Sequence, residues 1–382
     1  MATKLRLSIS LCLLILTSVG ATEPVLRIGV SDDYPPFSSE GRGFDVDVAK
    51  AMAEDWKLPI QWVRFRWPEL RAEVAAGAFD VAMSGVTWRP ERAVLGWMTR
   101  AVARGGPCVV GAESPARVGV NRGGVLETFA RKRFPGATIV AVDDNRSLPA
   151  QLESRELDAA VTDSFERARF SALGLPSRCD PPLDRKVYWV APAKAAVLGP
   201  EIDRWLAANE QRIDRLRAQW LGGSQPREEI DNLIDLLARR LELMPAAGAW
   251  KRAHGRPIED PEREAAVLGR AGERASAAGL DAASVRRLFE LQIELAKRIE
   301  RRSPEGPPLL DLEREIRPTV ARIGEQIVAS LAAVAPVETS ALFVDRLAPL
   351  GVLLDEMEMK RVRLTLLAVR RDGGRKGTGH TP

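Results

Sequence analysis

The chain has 382 residues, 45% hydrophobic and 28% charged, a globular composition too long for one ordinary core and lacking the apolar runs of a polytopic membrane protein. Only two histidines, His254 and His380, occur, and there is no CxxC, GxGxxG or P-loop pattern. HExxH proteolysis is therefore excluded, and Ser-His-Asp, multi-histidine zinc, dithiol and nucleotide chemistries lack support, which leaves cofactor-free and metal-free chemistry as the expectation. A net charge of +4 does not argue for nucleic acid, because the arginines are scattered over helical faces without interleaved aromatics.

Residues 1–21, MATKLRLSISLCLLILTSVGA, place Lys4 and Arg6 ahead of a short apolar run and small residues. This reads as an export signal, so the mature chain is expected in the periplasm or outside the cell, with no membrane attachment. Its removal takes two positive charges and no negative ones, lowering the net charge from +4 to +2. Cys12 leaves with it, and Cys108 and Cys179 remain in an oxidising compartment. A disulfide between them is expected, with two free thiols as the alternative.

From residue 25 to 225 short apolar runs alternate with helical stretches: VLRIGV, FDVDVAKAMAEDW, IQWVRF, FDVAMSGV, CVVGA, ATIVAV, LDAAVTD and KVYWVAP. The alternation predicts an α/β region with largely parallel strands. After GGSQP (222–226) the pattern changes to 3.6-residue periodicity, as in EEIDNLIDLLARRLELM and DAASVRRLFELQIELAKRIERR, which predicts an all-helical unit. The short linker implies that the two units sit close together. The expected organisation is a signal at 1–21, an α/β domain at 22–224, a helical domain at 225–370 and a disordered tail at 371–382.

Within the first domain, VLRIGVSDDYPPF, GFDVDVAKAMAE and FDVAMSGVTWRPERA follow one another. That order resembles the periplasmic amino-acid-binding protein superfamily, whose two α/β lobes close on a small ligand. The resemblance implies that Ser84, Thr87 and Arg92 hold a ligand carboxylate, for which arginine supplies a planar fork. Further segments, RWPEL with Trp67, VNRGG with Asn121, the cysteine pair and TDSFE with Asp163 and Glu166, are similar to the enzymatic branch, the cyclohexadienyl dehydratases. On that resemblance Glu166 is the general acid that protonates the departing ring hydroxyl of prephenate or arogenate. Asp163 stands where relatives contact a substrate ammonium group, and an N-cap is its structural alternative. The acid must stay protonated near neutrality, which demands a desolvated setting, with Trp67 and Phe165 as candidate neighbours. Gly124 opens a helix whose amides can hold a carboxylate. Two departures stand out: Val125 and Leu126 replace polar residues after the paired glycines, and RAVARGGP lacks an expected lysine, for which Arg104 is the substitute at hand.

In the second domain ARRLELM, AWKRAHGRPIEDPERE, LFELQIELAKRIE and DLEREIRP resemble the secreted, all-helical gamma-type chorismate mutases. The resemblance implies that Arg240, Lys251 and Arg263 grip chorismate. Ala296 and Glu300 occupy two further family positions one helical turn apart. Ala296 departs from the hydroxyl residue often found there, and Glu300 must be protonated to donate to the ether oxygen. Arg317 is expected to close the site, with Arg314 in competition, and Val267 takes a position that is polar in some relatives. Cations fixed in a dry pocket suffice for an intramolecular rearrangement of a dianion.

The combined expectation is an exported bifunctional enzyme that converts chorismate to prephenate and dehydrates prephenate or arogenate. The alternative is a mutase fused to a non-catalytic domain that binds an amino acid or aromatic acid. A helical domain serving only for dimerisation leaves Arg240, Lys251 and Arg263 without a role. Small molecules are the expected partners, and the sequence leaves a homo-oligomer open.

Overall fold

The computed structural model describes residues 24–303 and 305–372. The expected signal segment and residues 373–382 of the expected tail lie outside them. Two lobes make up the first half. The first contains β1 (Leu26–Val30), a small hairpin of β2 (Asp33–Tyr34) and β3 (Ser38–Ser39), α1 (Phe44–Trp56), β4 (Ile60–Arg64), α2 (Leu70–Ala76), β5 (Val81–Ala82), α3 (Pro90–Ala93) and β6 (Trp97–Met98). The chain crosses on β7 (Ala103–Gly105) into β8 (Pro107–Gly111), β9 (Arg117–Asn121), α4 (Val125–Arg133), β10 (Thr138–Val142), α5 (Leu148–Glu153), β11 (Ala159–Asp163) and β12 (Ser177–Cys179). It returns on β13 (Asp184–Lys186) to add β14 (Trp189–Val190), α6 (Ala195–Ala208) and α7 (Glu210–Trp220) to the first lobe.

The sheet orders are β4-β1-β5-β14-β6 and β10-β9-β11-β8-β12. The sheets are mixed, not largely parallel. β1 pairs in parallel with β4 and β5, and β9 with β10 and β11, whereas β8, β12, β14 and β6 pair antiparallel. CVVGA and YWV follow the two crossings directly, with no helix in between, so they enter their sheets without the helical crossover that parallel pairing needs. The crossing strands β7 and β13 pair with each other, Arg104 opposite Arg185. Cys108 and Cys179 face each other on β8 and β12 and form the expected disulfide.

The second half is a helical bundle of α8 (Glu229–Glu242), α9 (Met244–Ala253), α10 (Pro261–Ala277), α11 (Ala282–Arg301), α12 (Arg317–Val334), α13 (Val344–Leu347) and α14 (Glu356–Leu367). Its core is built from i, i+4 rows such as Leu233, Leu237 and Leu241, which meet Leu288, Leu295, Ile327 and Leu331. Side-chain caps fix where its helices begin: Asp281 accepts from the Ser284 amide, and Asp260 from the Arg263 amide. Residues 371 and 372, the first of the expected tail, lie against the bundle. Arg371 bridges Leu280 and donates to the Ala335 carbonyl, and the Asp372 amide donates to Gly279.

The units share a buried ionic seam. Asp235 of α8 accepts from Arg185 of β13 (3.0 Å), from Arg227 (2.8 Å) and from Arg104 of β7. Arg185 also reaches Glu242 (2.9 Å), and Arg239 donates to the Thr99 carbonyl (2.9 Å). The helical unit is thus seated on the ribbon that joins the lobes.

Candidate active site

Two candidate sites emerge, one in each unit. In the bundle, a cavity is lined by Arg240, Lys251, Arg263, Ala296, Glu300 and Arg317, together with Val267. Every expected mutase position therefore faces one space, and seven basic side chains on its wall outnumber three carboxylates. Arg317 is on this wall, and exposed Arg314 is not.

Local rules put these groups there. Asp260 and Pro261 set the start of α10, leaving Arg263 in its first turn beside the cavity. Gly248 lets α9 lie against the end of α11: a Cβ there would stand 2.4 Å from the Glu300 carbonyl oxygen. One turn on, Lys251 Nζ meets Glu300 Oε2 at 2.7 Å and the Ile258 carbonyl at 3.0 Å. Arg317 Nη2 bonds Asp260 at 2.9 Å. A π-type turn, Leu312–Ile316, runs into α12 just before Arg317.

Electrostatically the cavity is prepared for an anion. Arg240 is buried, lies 5.7 Å from the Phe289 ring centre, and its Nε and Nη1 have no hydrogen-bond partner among the described residues. Burial pulls its guanidinium down to about 10, against the pull of Glu300. A buried donor left unpaired is costly, so an acceptor arriving from outside is strongly favoured. Burial raises the Glu300 carboxyl above its ordinary range, opposed by Lys251, Arg317 and Arg240.

In the first unit the lobes enclose a narrow cleft lined by Tyr34, Trp67, Thr87, Arg92, Asn121, Gly124, Asp163 and Lys186. Gly123 permits this closure: its φ is +72°, and a Cβ there would come within 2.9 Å of Pro68 Cα in the opposite lobe. Arg92 donates to the Thr87 carbonyl (3.0 Å), and burial lowers its guanidinium to about 10. Gly124 caps α4, and Val125 and Leu126 line the cleft as apolar wall.

Two expectations are corrected. Ser84 is not on the cleft wall. Fully buried in the first lobe, it accepts from the Ser31 amide and shares a hydrogen bond with Ser38. Arg104 does not supply the missing cation, because it lies opposite Arg185 on the ribbon and both reach Asp235. Glu166 has polar partners that the sequence reading did not name. Its carboxylate accepts from Asn145 Nδ2 (2.6 Å), Thr162 Oγ1 (3.1 Å) and Arg169 Nη1 (2.7 Å). Burial raises this carboxyl to about 7, against the opposing charge of Arg169. Asn145 lines the cleft, and Glu166 stands one hydrogen bond behind it.

Beside Arg92 the cleft wall carries a second basic residue, Lys186, which sequence reasoning missed. Successive strand residues face opposite ways, so Arg185 turns to the helical unit while Lys186 turns into the cleft. The signal was its place at the head of the buried run KVYWVAP.

The profile of bacterial extracellular solute-binding proteins, family 3, matches residues 26–254, more than half of the chain. The chain belongs to this family. The cyclohexadienyl dehydratase of Pseudomonas aeruginosa is similar to this chain, at 31% identity over 212 residues, covering 49% of this chain and 78% of the relative. The L-arginine-binding protein of the same organism is 28% identical over 175 residues, covering 41% of the chain and 67% of the relative. Among solved structures, an ancestral amino acid-binding protein described as a precursor of cyclohexadienyl dehydratase matches with a TM-score of 0.48 at 24% identity, over 52% of this chain and 95% of that one. The profile of chorismate mutase type II matches residues 227–301, overlapping the first match at 227–254, and this stretch holds Arg240, Lys251, Arg263, Ala296 and Glu300.

Proposed function

We propose that this solute-binding-family protein is a bifunctional exported enzyme of phenylalanine biosynthesis. The helical unit, residues 225–370, converts chorismate to prephenate. The two-lobed unit, residues 22–224, dehydrates and decarboxylates prephenate or arogenate to phenylpyruvate or phenylalanine. Residues 1–21 are a signal peptide, and the mature enzyme works in the periplasm or outside the cell.

The observation that carries this reading is the convergence of Arg240, Lys251, Arg263 and Glu300 on one cavity of the bundle. Chorismate is a dianion whose rearrangement shifts charge onto the breaking ether oxygen. Arg263 and Arg317 face its carboxylates, Arg240 brings unpaired donors, and Lys251 and protonated Glu300 stabilise the ether oxygen. Such fixed donors in a dry site cost no reorganisation at the moment of reaction.

In the cleft, Arg92 and Thr87 hold a carboxylate and Trp67 packs against the ring. Glu166, protonated up to about pH 7 by its burial, gives its proton to the ring hydroxyl as water and CO2 depart and the ring aromatises. The Glu166 side chain must swing past Asn145 to do so. That step, with the apolar Val125 and Leu126, supports the second reading, in which the two-lobed unit binds an aromatic acid without turning it over.

The test is a two-step assay of the purified mature chain, following chorismate loss and phenylpyruvate formation, with prephenate supplied in parallel. Phenylpyruvate from both substrates is the expected result. Loss of chorismate with persistent prephenate supports the binding-only reading.

A further inference from the structure

Among the described residues Asp163 is the one carboxylate on the cleft wall, and it is already paired. Its Oδ2 lies 2.6 Å from Lys186 Nζ, with the side chains only 1% and 2% exposed. Its Oδ1 accepts from the Phe165 amide (3.1 Å) and the Ser164 hydroxyl (3.3 Å). Lys186 is held in place as well. Its ammonium donates to Thr87 Oγ1 (3.0 Å) and lies 5.6 Å from the Tyr34 ring centre and 5.7 Å from that of Phe37. The other charged group on the wall is Arg92.

Lys186 and Asp163 neutralise each other, and the uncompensated charge on the wall is the cation Arg92. An incoming ammonium group has no acceptor of opposite charge unless Asp163 leaves Lys186, which strands a buried lysine and sets two ammonium groups side by side. A ligand carboxylate without an ammonium group meets Arg92 and Thr87 while the Asp163–Lys186 pair stays closed.

We infer that Lys186 is a specificity-determining residue that selects ammonium-free 2-oxo acids and dicarboxylates and rejects amino acids. Resting on the dehydratase reading above, it makes prephenate, a 2-oxo dicarboxylate, the substrate of the two-lobed unit. Arogenate, which carries an ammonium group, is excluded.

The experiment compares kcat/KM for prephenate and arogenate on the full mature chain. Calorimetric titrations with phenylpyruvate, L-phenylalanine and L-arginine run alongside. The expected result is at least a tenfold preference for prephenate, and binding of phenylpyruvate with no detectable binding of either amino acid. Lys186→Met frees Asp163 and shifts the prephenate-to-arogenate ratio at least tenfold towards arogenate. Equal turnover of both substrates, or binding of L-phenylalanine or L-arginine by the unaltered chain, overturns the inference whether or not the variant folds. Absence of turnover with retained phenylpyruvate binding overturns the dehydratase reading and leaves the selectivity standing.

Discussion

Asp235 of α8 and Arg185 of β13 meet at 3.0 Å, with their side chains only 1% and 5% exposed. One partner belongs to the helical unit and the other to the ribbon joining the two lobes. Arg104 and Arg227 close on the same carboxylate, and together with Arg185 they hold it well below the ordinary range despite its burial. Asp235→Asn leaves three arginines around a neutral group. Breaking a buried pair from one side costs about 3–5 kcal/mol, so a large loss of stability is expected in denaturant unfolding. An unchanged midpoint would show that the seam contributes nothing to stability.

Arg240→Ala removes buried donors that have no partner among the described residues. A loss of roughly 10²–10³ in mutase kcat is expected, with conversion of supplied prephenate unchanged. Steady-state assays on the two substrates separate these effects.

Glu300 predicts the pH profile of the mutase. Its carboxyl is raised by burial, and only the protonated form donates to an ether oxygen. Mutase kcat should fall as pH rises through that raised value, while Glu300→Gln, which donates at every pH, should give a level profile. Parallel slopes for both proteins would remove Glu300 from this role.

Glu166→Gln should lower phenylpyruvate formation by about 10²–10⁴, the usual share of a general acid, with chorismate consumption intact. In the unaltered chain this activity should decline above about pH 7, where the carboxyl loses its proton.

Stability should follow the same protons. Asp45, buried and accepting from the Gly85 amide, is raised by burial to about 7, as is Glu166. Between the ordinary carboxylate range and about pH 7 the folded chain holds protons that the unfolded chain has released, so unfolding free energy falls as pH rises. The contribution is complete below the unfolded values and gone above the folded ones. Melting temperature should therefore drop by several degrees from pH 5 to 8, and Asp45→Asn should flatten part of the decline.

Much of the site was legible before any coordinates. Arg240, Lys251, Arg263 and Glu300 were implied by the resemblance to the gamma-type chorismate mutases, and from four different helices all four line one cavity. Cys108 and Cys179 were readable from compartment and count, and they pair across β8 and β12. The break at residues 222–226 marked the change from alternating strands to helices.

What the sequence could not decide depends on which way a strand faces and which distant strand lies beside it. Ser84 sits in the expected segment but is turned into the first lobe by Ser31 and Ser38. Lys186 and Arg185 are adjacent in the chain, yet the two-residue period of a strand sends one to Asp163 in the cleft and the other to Asp235 in the helical unit. Periodicity assigns residues to faces and leaves the faces unnamed. Only tertiary packing, by placing β7 and β13 between two lobes and under α8, determines which face is a binding cleft and which is a seam.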